Sequence, residues 1–362
     1  MARHELNRDG KLLGIQAARG VAALLVLVFH AERALSLPQY VGRLPLDGVT
    51  GFGHTGVDFF FVLSGFIIYS VHSADIGQPR RLGHYAGRRI SRIFPPYWVV
   101  TAGVLLITLA GHGWDGLPGW PDAAASLLLV PHGTPPIVGV AWTLEREMIF
   151  YVLFGLAILS RLLALVAVAA WAGLTCTSLL LPGSGLHLGP LALGTYDLQF
   201  AIGLATAWVL RRPGPARSGL TALAGLAAFL GAGIAENMGA LPHEALVSRM
   251  AYGIASAVII LGLVGMERQG RLHVGKFMVL LGAASYSLYL VHLTPLTLTV
   301  RGLAVAGVVG LMPGWLVMAI CCSVAVIVSI TFHKMVELPL TRAAQRLATR
   351  VFTPGSTVAR VT

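Results

Sequence analysis

The chain has 362 residues, of which 56% are hydrophobic and only 11% are charged. Soluble domains carry about 25% charged residues, so this composition excludes a water-soluble globule, and so apolar a chain cannot be intrinsically disordered. The 26 Lys and Arg residues outnumber the 15 Asp and Glu residues, which gives a net charge of +11. In a membrane protein this excess is typical of the positive-inside bias rather than of nucleic-acid binding, and we expect no nucleic-acid partner.

Ten mostly apolar stretches are each long enough to cross the hydrocarbon core of a bilayer, which takes about 20 residues. They are residues 12–35, 54–73, 95–112, 139–159, 163–181, 191–210, 219–236, 248–266, 277–299 and 314–336. This pattern predicts an all-α, polytopic bundle of ten transmembrane helices embedded in the lipid bilayer. We expect one integral membrane domain over residues 1–340, followed by a basic, amphipathic cytoplasmic tail over residues 341–362.

The positions of the basic residues predict the orientation of these spans. If the N-terminus is inside, 20 of the 26 Lys and Arg residues fall in segments on the cytoplasmic side and four fall on the outer side. This is the distribution that the positive-inside rule describes, and removing any one span would disturb it. Both termini are therefore predicted to face the cytoplasm.

Two ionisable residues of the first span, Arg19 and His30, lie eleven positions apart. At 100° and 1.5 Å per residue, both point in nearly the same direction and lie about 16 Å apart along the axis. An ionisable residue in the hydrocarbon costs about 2.5–3.5 kcal/mol, so such residues are functional candidates. One face of this helix thus carries a cation near the inner boundary and an imidazole deeper in. The alternative is a snorkelling arginine and a histidine bonded within the bundle.

Other ionisable residues reach a similar depth from independent spans. His292 lies in the outer half of the ninth span, while Asp58, Glu145 and Glu147 lie near the outer ends of the second and fourth. A histidine titrates near neutrality, and a carboxylate can orient it and stabilise its protonated form. This convergence indicates either acid/base catalysis or proton-coupled transport. The remaining histidines, such as His54, need no special explanation.

The predicted cytoplasmic loop before the third span is rich in arginine. Arg88, Arg89 and Arg92 precede the segment from Ile93 to Trp98. Arg89 and Arg92 are three residues apart on a predicted short helix and can share one face. Guanidinium groups bind phosphate oxygens through paired hydrogen bonds, although juxtamembrane arginines can also serve only topology and lipid headgroups.

Six motifs follow one another between about residue 12 and residue 340. They are Ile15–Gly20 with the Arg19–His30 pair, Gly56–Phe66 with Ser64, Arg89-x-x-Arg92 leading into Ile93–Trp98, Trp142–Glu147 with Phe150 and Tyr151, Ser285–His292 with Tyr286, and Val336–Pro339 with Glu337. In this order and spacing they resemble the acyltransferase 3 family of integral membrane acyltransferases, and within it the bacterial exopolysaccharide acetyltransferases.

The resemblance implies an O-acetyltransferase of the bacterial cytoplasmic (inner) membrane. The donor would be acetyl-CoA, or another acyl-CoA, and the acceptor a hydroxyl of a carbohydrate such as a polysaccharide or lipid-linked sugar; no metal is implied. Coenzyme A is a cytoplasmic polyanion, and the cationic groups expected to bind it are those of Arg19, Arg88, Arg89 and Arg92. An acceptor that is a small secreted metabolite remains an alternative.

In the mechanism that the layout of these residues suggests, His30 is the general base or, as an equal option, a nucleophile that accepts the acyl group. Glu147 or Asp58 would orient the imidazole or bind the sugar. Motif members without an assigned step are Ser64, Trp142, Tyr286, His292 and Glu337. Ser64 lacks a Gly-x-Ser-x-Gly context, which favours helix packing together with Gly65 over a nucleophilic role.

The competing interpretation is a permease that uses buried histidine and glutamate side chains as a proton relay. Two features of the sequence disfavour it: no internal repeat relates two halves of the chain, and the arginine cluster lies on one side only.

Overall fold

The computed structural model describes residues 12–180, 188–212, 214–243 and 245–352. This part of the chain holds fourteen α-helices and no β-strand, which confirms the all-α prediction. The helices are α1 (Leu13–Leu35), α2 (Gly56–His72), α3 (Leu82–His112), α4 (Trp120–Leu128), α5 (Trp142–Leu159), α6 (Arg161–Leu180), α7 (Thr195–Val209), α8 (Ser218–Asn237), α9 (Leu246–Arg268), α10 (Lys276–Ala283), α11 (Ser285–Val291), α12 (Leu293–Val305), α13 (Gly314–Phe332) and α14 (Leu338–Phe352).

Each of the ten predicted spans coincides with helical structure. Seven helical segments of the described chain are long and apolar enough to cross a membrane, and an eighth is added if the pair α11 and α12, bent by 52°, is one span. α5 does not qualify because three charged residues lie in its 18 residues, and α7 has only 15 residues. The protein is thus a multi-pass membrane protein, while the count of ten and the cytoplasmic termini stay predictions.

The third predicted span, residues 95–112, is the second part of a longer helix. Proline is normally confined to the first turn of a helix, so no continuous helix was predicted across Pro95 and Pro96. Instead α3 begins at Leu82 and continues to His112 through Pro95 and Pro96. The predicted short helix with Arg89 and Arg92 is therefore the first part of this 31-residue helix.

The chain forms two compact units, of which the first comprises the residues before His72 together with Gly194–Thr331. In this unit α1 packs against α10, α11 and α12. Fully buried apolar side chains fill the core that α1, α12 and α13 share, among them Leu27, Leu296 and Val317. These buried side chains determine which face of α1 points into the core.

Two glycines allow α2 and α7 to approach each other closely. A Cβ atom on Gly203 would overlap the carbonyl oxygen of Val62 and lie 2.8 Å from the backbone nitrogen of Phe66, and one on Gly65 would overlap the carbonyl oxygen of Phe200. Only glycine fits at such a crossing, which is the small-residue packing typical of membrane helices. The packing role predicted for this segment is confirmed for Gly65.

The second unit comprises His72–Leu193 and the chain from Phe332 onwards. Here α3 packs against α5 and α14, and α5 packs against α6. The hydroxyl of Tyr85 on α3 donates a hydrogen bond of 3.0 Å to the carbonyl oxygen of Tyr151 on α5. Residues 341–352 of the predicted tail continue α14, which begins at Leu338, whereas residues 353–362 lie outside the described residues.

Candidate active site

The neighbours of the His30 imidazole indicate which of its two ring nitrogens carries the proton. Its Nδ1 atom lies 2.9 Å from the carbonyl oxygen of Val26, one turn earlier on α1, and 3.3 Å from Nε2 of His292. A carbonyl oxygen only accepts hydrogen bonds, so in the neutral ring we assign the proton to Nδ1 and the lone pair to Nε2. The half-buried His30 therefore presents at Nε2 an atom able to accept a proton from a hydroxyl group.

His292 is the side chain that the structure brings together with His30. It is fully buried at the bend between α11 and α12, and the two imidazole centroids are 5.1 Å apart. Its Nδ1 atom lies 2.8 Å from the carbonyl oxygen of Tyr289 and 3.0 Å from that of Leu288. His292 of the ninth predicted span thus lies beside His30 of the first.

Arg19 lies on the same uninterrupted helix as His30, because α1 runs from Leu13 to Leu35 without a break. The spacing derived from the sequence therefore holds in the structure. Arg19 as a whole residue is half-buried.

Asp58 makes its hydrogen bonds with residues that the sequence analysis did not select. Its Oδ2 accepts a hydrogen bond of 2.6 Å from Nη1 of Arg249, and its Oδ1 accepts one from Nε2 of Gln199. Neither bond goes to His30. In this structure the fully buried carboxylate neutralises a buried arginine instead of orienting the imidazole.

A second polar cluster surrounds Glu236. Its Oε1 accepts hydrogen bonds from His54 Nε2 at 2.8 Å and from His243 Nδ1 at 2.5 Å, and its Oε2 accepts one from the Tyr252 hydroxyl at 2.6 Å. The Phe29 ring lies beside His54, with centroids 5.5 Å apart. The expectation that His54 needs no explanation was therefore wrong.

The nitrogen and oxygen atoms of His54, Glu236 and His243 are near enough to share a metal ion, since they lie within 4.8 Å of one another. Nη1 of Arg249, however, lies 3.4 Å from Nδ1 of His54. Because a guanidinium only donates, Nδ1 must accept and the proton sits on Nε2, the atom that a metal would need. The cluster is better described as a hydrogen-bonded network. The sequence feature that could have revealed this network is the pair of ionisable residues Glu236 and Arg249, which lie at the ends of two predicted spans.

Arg89 of the second unit is a buried cation. Its side chain is 9% exposed, and its guanidinium carbon lies 5.1 Å from the Tyr151 ring centroid and 5.9 Å from that of Tyr85. Its Nε atom has no hydrogen-bond partner, and no carboxylate within the described residues forms an ion pair with it. Two aromatic faces stabilise the guanidinium but leave its hydrogen-bond donors available to an anion.

The neighbours of Arg89 in the arginine motif differ in exposure. Arg88 points to the exposed side of α3 and Arg92 is half-buried. Glu147 accepts a hydrogen bond of 2.6 Å from the hydroxyl of Tyr151, so its carboxylate is tied to the tyrosine that faces Arg89.

The remaining predicted residues take less specific positions. Trp142 begins α5 and is partly exposed, and Glu337 accepts a hydrogen bond of 2.7 Å from His333 in the π-helical segment His333–Glu337. Ser64 on α2 and Tyr286 on α11 are half-buried. The first unit holds Arg19, His30, Asp58, Ser64, Tyr286 and His292, and the second holds Arg88, Arg89, Arg92, Trp142, Glu147 and Glu337.

Comparison with known proteins assigns the chain to a family. A family model described as an acyltransferase domain matches residues 12–334. The exopolysaccharide production protein ExoZ of Rhizobium meliloti (strain 1021) is 29% identical over 305 residues, which are 80% of this chain and 90% of that protein. The acyltransferase MdmB of Streptomyces mycarofaciens is 33% identical over 162 residues, which are 40% of this chain and 39% of that protein. No solved structure matches the chain significantly. The family match covers nearly the whole chain, so this protein belongs to the acyltransferase 3 family and is a membrane acyltransferase.

Proposed function

We propose that the protein transfers an acetyl group from acetyl-CoA to a hydroxyl of an exported or cell-envelope carbohydrate at the bacterial cytoplasmic membrane. The observation that carries this proposal is the position of the proton on the His30 ring. Nδ1 faces a carbonyl oxygen, so Nε2 is available as a base. The name of the rhizobial relative, an exopolysaccharide production protein, supports a carbohydrate acceptor.

In the proposed reaction, Nε2 of His30 removes the proton of the acceptor hydroxyl as the oxygen attacks the thioester carbonyl carbon. The tetrahedral intermediate then collapses, the carbon–sulfur bond breaks, and the imidazolium returns its proton to the departing thiolate. The products are an ester and coenzyme A. The same Nε2 atom can instead attack the thioester itself, which would give an acyl-histidine that the hydroxyl then cleaves.

The donor is held through its phosphates. A guanidinium that is buried without a carboxylate partner favours an anionic ligand, because the negative charge of the ligand then neutralises the buried cation. Arg89 meets this condition in the structure, and the half-buried Arg92 lies one turn along the same helix. Arg88 is exposed and contributes less.

The test compares three variants of the purified protein with labelled acetyl-CoA and an envelope glycan as acceptor. We expect His30→Ala to lower turnover about 10²–10⁴-fold and to leave the affinity for coenzyme A unchanged. Arg89→Ala should weaken that affinity about 10- to 100-fold, since a hydrogen bond to a charged group contributes about 1.5–3 kcal/mol.

Arg88→Ala is the matched control for Arg89→Ala. It removes the same charge from the adjacent, exposed position and should change the affinity less than about fivefold. Undiminished turnover in His30→Ala would exclude His30 from the chemistry. Uptake of solute without acetyl transfer would instead favour the permease.

A further inference from the structure

We propose that His292 is a positioning residue for the acyl transfer, which holds the Nδ1 proton of His30 and stabilises the positive charge that His30 acquires. This inference rests on the proposed role of His30 as the base. It gives His292 the task that a carboxylate performs for the histidine of a Ser-His-Asp triad.

The first step of the argument is the polarity of His292. Its Nδ1 atom contacts two carbonyl oxygens, those of Leu288 and Tyr289, at 3.0 and 2.8 Å. Because both groups only accept hydrogen bonds, Nδ1 carries the proton of the neutral ring and Nε2 carries the lone pair. Nε2 of His292 is thus fixed as an acceptor by its own backbone surroundings.

The second step concerns the group that Nε2 of His292 faces. Nε2 of His292 lies 3.3 Å from Nδ1 of His30, the nitrogen whose proton also faces the carbonyl oxygen of Val26 at 2.9 Å. The chain of hydrogen bonds therefore has one direction, from Nδ1–H of His30 to Nε2 of His292 and from Nδ1–H of His292 to Leu288 and Tyr289. This direction leaves Nε2 of His30 free to take the proton of the acceptor hydroxyl.

The third step is the effect of charge. When His30 takes up the proton it becomes an imidazolium, and a hydrogen bond donated by a charged group is about twice as strong as a neutral one. A rigid acceptor that is already aligned stabilises this charge without reorganisation. Among the described residues neither ring is hydrogen-bonded to a carboxylate, so the acceptor lone pair comes from an imidazole.

Burial of His292 also allows a structural role, since its neighbours Leu288 and Leu296 belong to the apolar core. Two replacements separate the possibilities. His292→Leu introduces an apolar side chain that can fill part of the same space but has no hydrogen-bond acceptor. His292→Gln instead places an amide oxygen near the position of Nε2. Leu296→Met is the control for a change of packing beside the bend, because it conserves volume and removes no hydrogen bond.

Steady-state kinetics of the full-length protein measure the effect. We expect His292→Leu to lower kcat about 10- to 100-fold, the usual loss when the partner that orients a functional histidine is removed, with the KM for acetyl-CoA unchanged. The acid limb of the kcat–pH profile should shift in the same variant. His292→Gln should recover most of the activity, and Leu296→Met should behave as wild type. Equal losses in the leucine and glutamine variants, or an unshifted pH profile, would overturn the inference.

A measurement without turnover separates this inference from the proposed function. In protein with ¹⁵N-labelled histidine, the His30 signals are identified by their loss in His30→Ala. We expect a protonated Nδ1 and an unprotonated Nε2 in wild type, and a changed Nδ1 resonance in His292→Leu. An unchanged resonance contradicts the contact itself, whereas a changed resonance in a protein without acetyl transfer would contradict only the proposed function.

Discussion

Replacing Gly203 with alanine is expected to separate α2 from α7. The new Cβ would overlap the carbonyl oxygen of Val62 and lie 2.8 Å from the backbone nitrogen of Phe66. Both are main-chain atoms of α2, so no side chain can rotate away and the helices themselves must move. The same displacement would strain the hydrogen bond from Gln199 on α7 to Asp58 on α2.

The size of the effect follows from two opposing contributions. Alanine is favoured over glycine inside a helix by about 1 kcal/mol, whereas forcing an extra methyl group into a packed interior costs about 1–3 kcal/mol. Gly231→Ala on α8 is the matched control, because a Cβ there meets nothing within 4 Å. The helix-propensity gain is common to both variants, so their difference in free energy of unfolding isolates the contact, at about 1–3 kcal/mol.

The assay is unfolding of the two variants in the same detergent, by heating and by titration with a denaturing detergent, with circular dichroism as the signal. Gly231→Ala should be as stable as wild type or slightly more stable, and Gly203→Ala clearly less stable. If both variants unfold together, the close crossing of α2 and α7 is refuted.

Two further changes test single contacts. Asp58→Asn removes the carboxylate charge that faces the buried Arg249 and should destabilise the protein by about 3–5 kcal/mol in the same unfolding assay, while the double variant Asp58→Leu with Arg249→Met should recover most of the loss. A single variant as stable as wild type would show that the ion pair does not hold α2 to α9. Tyr151→Phe removes the hydroxyl that binds Glu147 but keeps the ring beneath Arg89, so coenzyme A affinity should stay within about threefold of wild type, whereas Tyr151→Ala should weaken it by about 1 kcal/mol or more. Equal affinities of these two variants in calorimetric titrations would exclude the ring from donor binding.

The sequence predicted the helices well because the length of an apolar run is a local property. Every predicted span coincides with helical structure, and the spacing of Arg19 and His30 survives because α1 is unbroken. The continuity of α3 through Pro95 and Pro96, by contrast, was not predicted. Proline usually begins a helix, and nothing in the neighbouring residues reveals that α5 and α14 hold the earlier turns of α3 in place.

The partners of the buried charges could be predicted only in part. Depth in the membrane follows from topology, which is why His30 and His292 were placed at a similar level. Which side chain faces which depends on the rotation of each helix, and a single sequence does not define that rotation. Asp58 was therefore one of two candidates to orient the imidazole or bind the sugar, whereas in the structure it pairs with Arg249.

The continuity of α3 restricts how the arginine segment can vary among relatives. Each residue inserted into an unbroken helix turns everything before it by 100° and moves it by 1.5 Å. One inserted residue between Arg89 and Tyr97 would thus carry the guanidinium away from the Tyr151 ring on α5, or break the hydrogen bond that the Tyr97 hydroxyl donates to the carbonyl oxygen of Ser126. Surface loops absorb such insertions, whereas in this helix an added residue changes the contacts on one side of it.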